Sequence, residues 1–168
     1  MKKEKTNILW WVLVILAVIL TSLYFTEFRS RVPPVSVPRE NVNFRNDGRL
    51  YFINPDRKDT LAGIDIEMAD NDQSRARGLM DRDSLGFDRG MLFIYQQAQV
   101  LNYWMKNTRI SLDIVFVGYD RKVKYIASHA TPYSTNPITG FYPAQYVIEV
   151  NAGFCDSHNI KAGVLIEF

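Results

Sequence analysis

Between residues 103 and 113 the chain gathers groups that could bind a ligand or do chemistry. The run Tyr103-Trp104-Met105-Lys106-Asn107-Thr108 is followed by Asp113, which interrupts the apolar stretch Leu112 to Val117. Trp104 offers a flat apolar face, Lys106 a cation, Asn107 an amide and Asp113 a carboxylate. A carboxylate inside an apolar strand needs a partner or a task, because an unpaired buried charge is costly or shifts its pKa. Arg75, Arg77, Arg82 and Glu149 add further charge. An arginine facing Asp113 or Glu149 makes an ion pair, and one left over makes an anion site. Two chemistries follow. The first is binding: an aromatic plate beside amide, carboxylate and guanidinium groups suits a small polar ligand, a glycan or an extended peptide. The alternative is a hydrolase or transferase, with Asp113 or Glu149 as general base and Lys106 or an arginine stabilising an anion.

The simplest arrangement of this segment is a hairpin of strands 100–105 and 112–117 with 106–111 as its loop. Alternation then places Leu101, Tyr103, Met105, Leu112, Ile114 and Phe116 on a core face. The other face carries Asn102, Trp104, Asp113, Val115 and Val117, so Trp104 lies beside Asp113. A structural reading competes at each position. Asp113 can cap backbone N–H groups or pair with Arg75, Arg77, Arg82, Lys106 or Arg109. Trp104 can line a core or a groove, and Asn107 and Thr108 can simply make the turn. Asp113 is expected to be mainly structural and Trp104 partly exposed.

Cofactor chemistry finds little support. Met68, Met80, Met91 and Met105 raise a Cu(I) site as the least favoured function, since thioethers are soft ligands. Trp104 and Met105 point to opposite faces of a strand, however, and methionine is an ordinary core filler. His129 and His158 are far apart and suggest no zinc. No G-x-S-x-G, P-loop, H-E-x-x-H or C-x-x-C motif occurs. No cofactor or metal is expected. Cys155 is the single cysteine, which excludes an internal disulfide, and it reads as a small buried residue.

The elements that must position these groups begin with an anchor. Residues 8–25 (ILWWVLVILAVILTSLYF) contain no charge, no Pro and no Gly. As a helix they would be about 27 Å long, near the minimum for crossing a bilayer. Trp10, Trp11 and Tyr24 sit near the ends, as interfacial aromatics do. The segment that follows lacks a signal-peptidase pattern. Lys2, Lys3 and Lys5 precede the span, which places residues 1–7 in the cytoplasm and the domain outside, in the periplasm or beyond the cell. Those lysines, with Glu4, account for the whole +2 formal charge of the 168-residue chain. The remainder is neutral, which argues against nucleic acid as a partner. The expected partners are the membrane, through 8–25, and a small ligand or envelope component. Pro33, Pro34 and Pro38 make 26–48 a linker.

From 49 to 168 the pattern is mostly strand. Candidate strands are 50–53, 61–68, 90–95, 100–105, 112–117, 122–128, 144–150 and a last one within 160–168, rich in β-branched and aromatic residues. Asp70, Asn71 and Asp72 offer N-caps for a short helix over 73–79 that Gly78 helps to end. The expected fold is mainly β (α+β): a compact antiparallel barrel or sandwich with one or two short helices, preceded by a single transmembrane helix.

Taken together, Arg75-Ala76-Arg77-Gly78-Leu79-Met80, Arg82, Leu85, Gly90-Met91-Leu92-Phe93, Tyr103-Trp104-Met105-Lys106-Asn107-Thr108, Leu112-Asp113 and Glu149 resemble the bacterial and archaeal domain of unknown function 192. Its pattern runs R-x-x-G-L-M-x-R, G-M-L-F, F-W-M-K-N-T, L-D and a late L-E, and the match spans about residues 60–168. Tyr103 stands where Phe is usual, and Ile148-Glu149 replaces Leu-Glu. Ala162-Gly163-Val164 stands where Gly-Asp is common, so no role carries over for that late Asp. The resemblance implies a compact mainly-β fold, often secreted or membrane-anchored, and no established activity.

Overall fold

The computed structural model describes the backbone of residues 8–30, 43–56 and 59–168; within the first helix, side chains are described for residues 10–24. In chain order the elements are α1 (Ile8–Ser30), β1 (Gly48–Ile53), β2 (Thr60–Ala69), α2 (Asp72–Arg77), β3 (Arg89–Gln99), β4 (Asn102–Tyr103), β5 (Leu112–Val117), β6 (Val123–Ala130), β7 (Ile138–Thr139), β8 (Ala144–Asn151), α3 (Phe154–Ser157) and β9 (Leu165–Glu167). The chain divides into two units, with the break after Pro38.

The first unit holds α1. Its described apolar side chains, from Trp10 to Tyr24, are exposed, Val14 less so. Among the described residues no helix is long and apolar enough to cross a membrane. The described side chains stop short of both ends of the uncharged stretch 8–25, and residues 1–7 lie outside them. The linker expected over 26–48 falls mainly on 31–42, which also lie outside the described residues. Its first residues continue α1 to Ser30, and Gly48 already belongs to β1.

The second unit is built on one seven-stranded sheet in the order β6-β5-β8-β3-β2-β1-β9, with β4 and β7 paired as a separate ribbon. The sheet is mainly antiparallel, as expected, but β2 and β3 run parallel. The crossover between them, residues 70–88 with α2, is long enough to return the chain to the same end, which a parallel pair requires. The sheet is not a closed barrel. The start of β6 meets β9 through one isolated bridge, Lys122 to Leu165, flanked by the bond from Ile166 N–H to Arg121 O at 2.9 Å.

Apolar residues cover both faces. Phe52, Ile64, Ile66, Leu92, Val115, Val117, Ile148 and Val150 pack under α3 and its flanks. Leu79, Met91, Phe93, Leu101, Met105, Leu112, Ile114, Phe116 and Val147 pack on the other side. Every residue of β5 is buried, so it is an interior strand with β6 and β8 as neighbours. This corrects the expected hairpin. β4 pairs with β7, Asn102 opposite Thr139 and Tyr103 opposite Ile138, instead of with β5. The predicted core set, Leu101, Tyr103, Met105, Leu112, Ile114 and Phe116, is nevertheless in one cluster. Segment 101–110 reaches it by lying over the sheet, and an apolar pattern fixes what is buried more firmly than what it pairs with.

Candidate functional site

A cleft of about 320 Å³ opens where α2 and the segment after it cross β3, β4 and β8. Its construction starts at the N-terminus of α2. Asn71 caps the helix through a reciprocal pair, its Oδ1 accepting the Ser74 N–H at 2.9 Å while Ser74 Oγ accepts the Asn71 N–H at 3.3 Å. Gly78 ends the helix at φ 51°, a region that disfavours side chains, and a Cβ there would sit 3.3 Å from Phe93. The chain therefore turns tightly against β3. The next residue, Leu79, is buried in the core and donates its N–H to Glu149.

Glu149 forms the floor. It faces the α2 side of β8, pairs with Met91 on one neighbour strand and Ile114 on the other, and is only 5% exposed. Its Oε2 has no hydrogen-bond partner. Burial pushes its carboxyl up to about 8, against the opposing pull of the Leu79 N–H and the Arg82 charge. The carboxyl is thus mostly neutral at pH 7.

Aromatic rings form the walls. Tyr95 and Tyr103 join their hydroxyls at 2.9 Å, and Tyr103 packs edge-on against Phe93 with centroids 5.3 Å apart. Burial, with Tyr95 next, holds the Tyr103 phenol well above its usual range. Trp104 lines the cleft while 52% exposed, and the Lys106 ammonium lies 5.4 Å from its ring centroid. At the rim, Arg75 donates to the Ile94 carbonyl at 2.8 Å, pairs with Asp72 and stacks on Tyr95. Arg77 also lines the cleft and has an interaction of its own.

Of the residues singled out in the sequence, the cleft brings together Arg75, Arg77, Trp104 and Glu149. Four others lie elsewhere. Lys106 sits on Trp104 without lining the cleft. Asn107 makes a turn at φ 57°, its carbonyl accepting the Asp81 N–H at 2.9 Å. Arg82 is buried under the cleft, forked onto Glu67 at 2.6 and 2.7 Å, so it is a structural ion pair. Asp113 is the main correction. It is fully buried on the opposite face of the sheet from Glu149, pairing in register with Val150 while Ile114 pairs with Glu149. Its oxygens accept the His129 N–H at 2.9 Å and the Cys155 N–H at 3.0 Å. It is a cap, as the structural reading held, and it is not beside Trp104. The two carboxylates do not converge on one cavity.

Sequence reasoning passed over Phe93 and Tyr95 as cleft residues, and it placed Asn102 on the face of Trp104 and Tyr103 on the core face without naming either for the site. The signal was available for the first two: in β3 they alternate with Met91, the register partner of Glu149. Of the methionines, Met68 packs on one face of the sheet, Met91 and Met105 are buried on the other, and Met80 lines the cleft. Among the described residues no group of His, Cys, Asp and Glu could hold a metal ion.

With fold and cleft in place, the class is a mainly-β domain built around a polar-floored, aromatic-walled cleft. Residues 53–168 match the pattern of domain of unknown function 192, described as an uncharacterized ACR, and the chain belongs to that family. No curated protein matches it at a significant level. Several solved structures are similar, among them these two. One, a protein of unknown function from Novosphingobium aromaticivorans, is 34% identical at a TM-score of 0.67, covering 71% of this chain and 84% of that one. The other, described as a candidate transcription regulator from Sinorhizobium meliloti, is 32% identical at a TM-score of 0.68, covering 71% and 91%.

Proposed function

We propose that the chain is a membrane-anchored binding or accessory module whose cleft takes a small polar ligand, a glycan or a peptide outside the cytoplasm. One observation carries the binding half: Glu149 Oε2 is buried, unpartnered and part of the cleft lining. A buried polar atom without a partner is rare in folded proteins and marks a place where a ligand group or water completes the bonding. The exposed Trp104 ring, which lines the same cleft, supplies apolar contact area of the kind found in binding sites. A catalytic pair has less support, because Asp113 spends both oxygens on backbone N–H groups. The regulator description of one relative belongs to that protein. Here the charge beyond Lys5 is balanced, which does not favour nucleic acid.

The anchor half rests on the sequence. Eighteen uncharged residues, 8–25, precede the domain, and an uncharged apolar stretch of that length is suited to lipid. Epitope tags at both ends, with protease added to intact cells, test it: the C-terminal tag should be digested and the N-terminal tag protected. A protected C-terminal tag, or a mature chain lacking residues 1–25, refutes the anchor. For binding, the full chain is screened in lipid nanodiscs against sugars, amino acids, short peptides and small anions by ligand-observed NMR. Binding that Trp104→Ala removes supports the cleft; no binding from any class removes the proposal.

A further inference from the structure

Resting on the binding reading above, we propose that the cleft holds one neutral saccharide ring, its apolar face on Trp104 and a hydroxyl on Glu149 Oε2. The inference comes from what the cleft offers and what it lacks. Its charged rim groups are already engaged. Arg75 is taken by Asp72, the Ile94 carbonyl and the Tyr95 ring. Arg77 has an interaction of its own, and Arg82 is forked onto Glu67 outside the lining. An anion at Arg75 would therefore have to displace existing partners. A ligand cation would have to draw the buried Glu149 carboxyl into its charged form, which burial opposes.

What remains is neutral and bifunctional. Tyr95 and Tyr103 share one hydrogen bond, and two hydroxyls sharing one bond leave a proton and lone pairs over. Thr108 lines the cleft with its hydroxyl only 3.4 Å from the Lys106 carbonyl, a long and weak bond. Asn102 accepts from Thr139 at 2.7 Å and keeps its amide N–H groups. Glu149 Oε2, at the floor, has nothing. These groups sit among the rings of Phe93, Tyr95, Tyr103 and Trp104. A sugar matches this set: hydroxyls at its edge both donate and accept, and its C–H face lies on an aromatic ring. A cleft of about 320 Å³ is at the small end of ligand sites, so one ring, free or at the end of a chain, is the unit held.

The test uses the full chain in lipid nanodiscs, free of glycoside detergent. Methyl glucoside, methyl galactoside and methyl N-acetylglucosaminide are titrated by calorimetry and saturation-transfer NMR. Chitotriose and isolated cell-wall sacculi separate a free sugar from the end of a polymer. At least one saccharide should bind, and Trp104→Ala should weaken it about tenfold or more, the scale of one lost aromatic contact. Phe141→Ala, at an exposed aromatic outside the cleft, should leave it unchanged. Glu149→Met, which removes the polar group from the floor, should lose binding with the fold intact by circular dichroism. Saccharide binding that survives Trp104→Ala overturns the inference. So does a panel in which an amino acid, amine or anion binds in a Trp104-dependent way and no sugar does, an outcome that leaves the binding reading standing. Silence from every class overturns both.

Discussion

Asp113 Oδ2 accepts the backbone N–H of Cys155 at 3.0 Å, across 42 residues of sequence. Cys155 lies in the first turn of α3, whose N-cap, Gly153, supplies no side-chain acceptor. A helix start leaves N–H groups unpaired, and Asp113 satisfies one of them from a neighbouring strand. Its Oδ1 meanwhile holds the His129 N–H at 2.9 Å, at a residue with φ 54°. Asp113→Asn keeps one acceptor and turns an N–H donor toward a backbone N–H. Hydrogen bonds to charged groups are worth roughly 1.5–3 kcal/mol, so stability should fall by about 2–3 kcal/mol in a urea titration. An unchanged midpoint would remove the capping role.

Trp104 and its neighbour Met105 should separate in the same measurement. Trp104 is 52% exposed, whereas Met105 is completely buried in the cluster beneath the cleft. Trp104→Ala should cost under about 1 kcal/mol, and Met105→Ala about 2–5 kcal/mol. Equal losses at the two positions would mean that Trp104 is a core residue.

These two residues also show how much was legible. Period-two alternation sorted Leu112, Ile114 and Phe116 from Val115 and Val117 correctly, because burial on each face is a local property of the strand. The strand bounds 112–117 and the Gly78 stop were legible for the same reason, and Asn71 proved to be the cap among the three candidates 70–72, for a helix at Asp72–Arg77 instead of 73–79. Pairing was not. Whether 100–105 folds back on 112–117 or lies across the sheet to meet residues 138–139 depends on contacts distant in sequence. Half of the site fell with that hairpin: Asp113 lies on the far face, and Glu149, on the eighth strand, shares the cleft with Trp104 instead. Arg82 and Glu67 paired over a separation of 15 residues that no periodicity signals.

The Arg82–Glu67 pair gives a third prediction. Arg82 and Glu67 are 6% and 5% exposed and joined by two short hydrogen bonds. Arg82→Met leaves the buried Glu67 carboxylate with the Arg45 N–H, at 3.1 Å, and no cation forked onto it, and should cost roughly 3–5 kcal/mol, the usual penalty for breaking such a pair from one side. Combining it with Glu67→Leu should restore most of that loss, since an apolar pair of similar volume is often neutral. If the double variant is no more stable than Arg82→Met, the interaction with Glu67 is not what holds Arg82.

Glu149 predicts an acid-favoured contribution to stability. Its carboxyl titrates at about 8 in the folded protein against an ordinary value of 4.5. Below the ordinary value both folded and unfolded chains carry the proton, and above about 8 neither does. Between them the folded chain holds a proton that the unfolded chain has released, so stability falls as pH rises, by about 1.4 kcal/mol per unit from this group. Asp47 and Asp120 are shifted the opposite way, held below their ordinary 3.8, so their contribution is already complete by pH 5. The window from pH 5 to 8 therefore isolates Glu149 among the shifted carboxyls. Glu149→Gln keeps an acceptor for the Leu79 N–H and does not titrate. Denaturation of both proteins across that window should show a falling curve for the natural chain and a flatter one for the variant, with the variant gaining as pH approaches 8. Parallel curves would mean that Glu149 is charged and compensated in the fold, and the cleft floor would then be anionic at neutral pH.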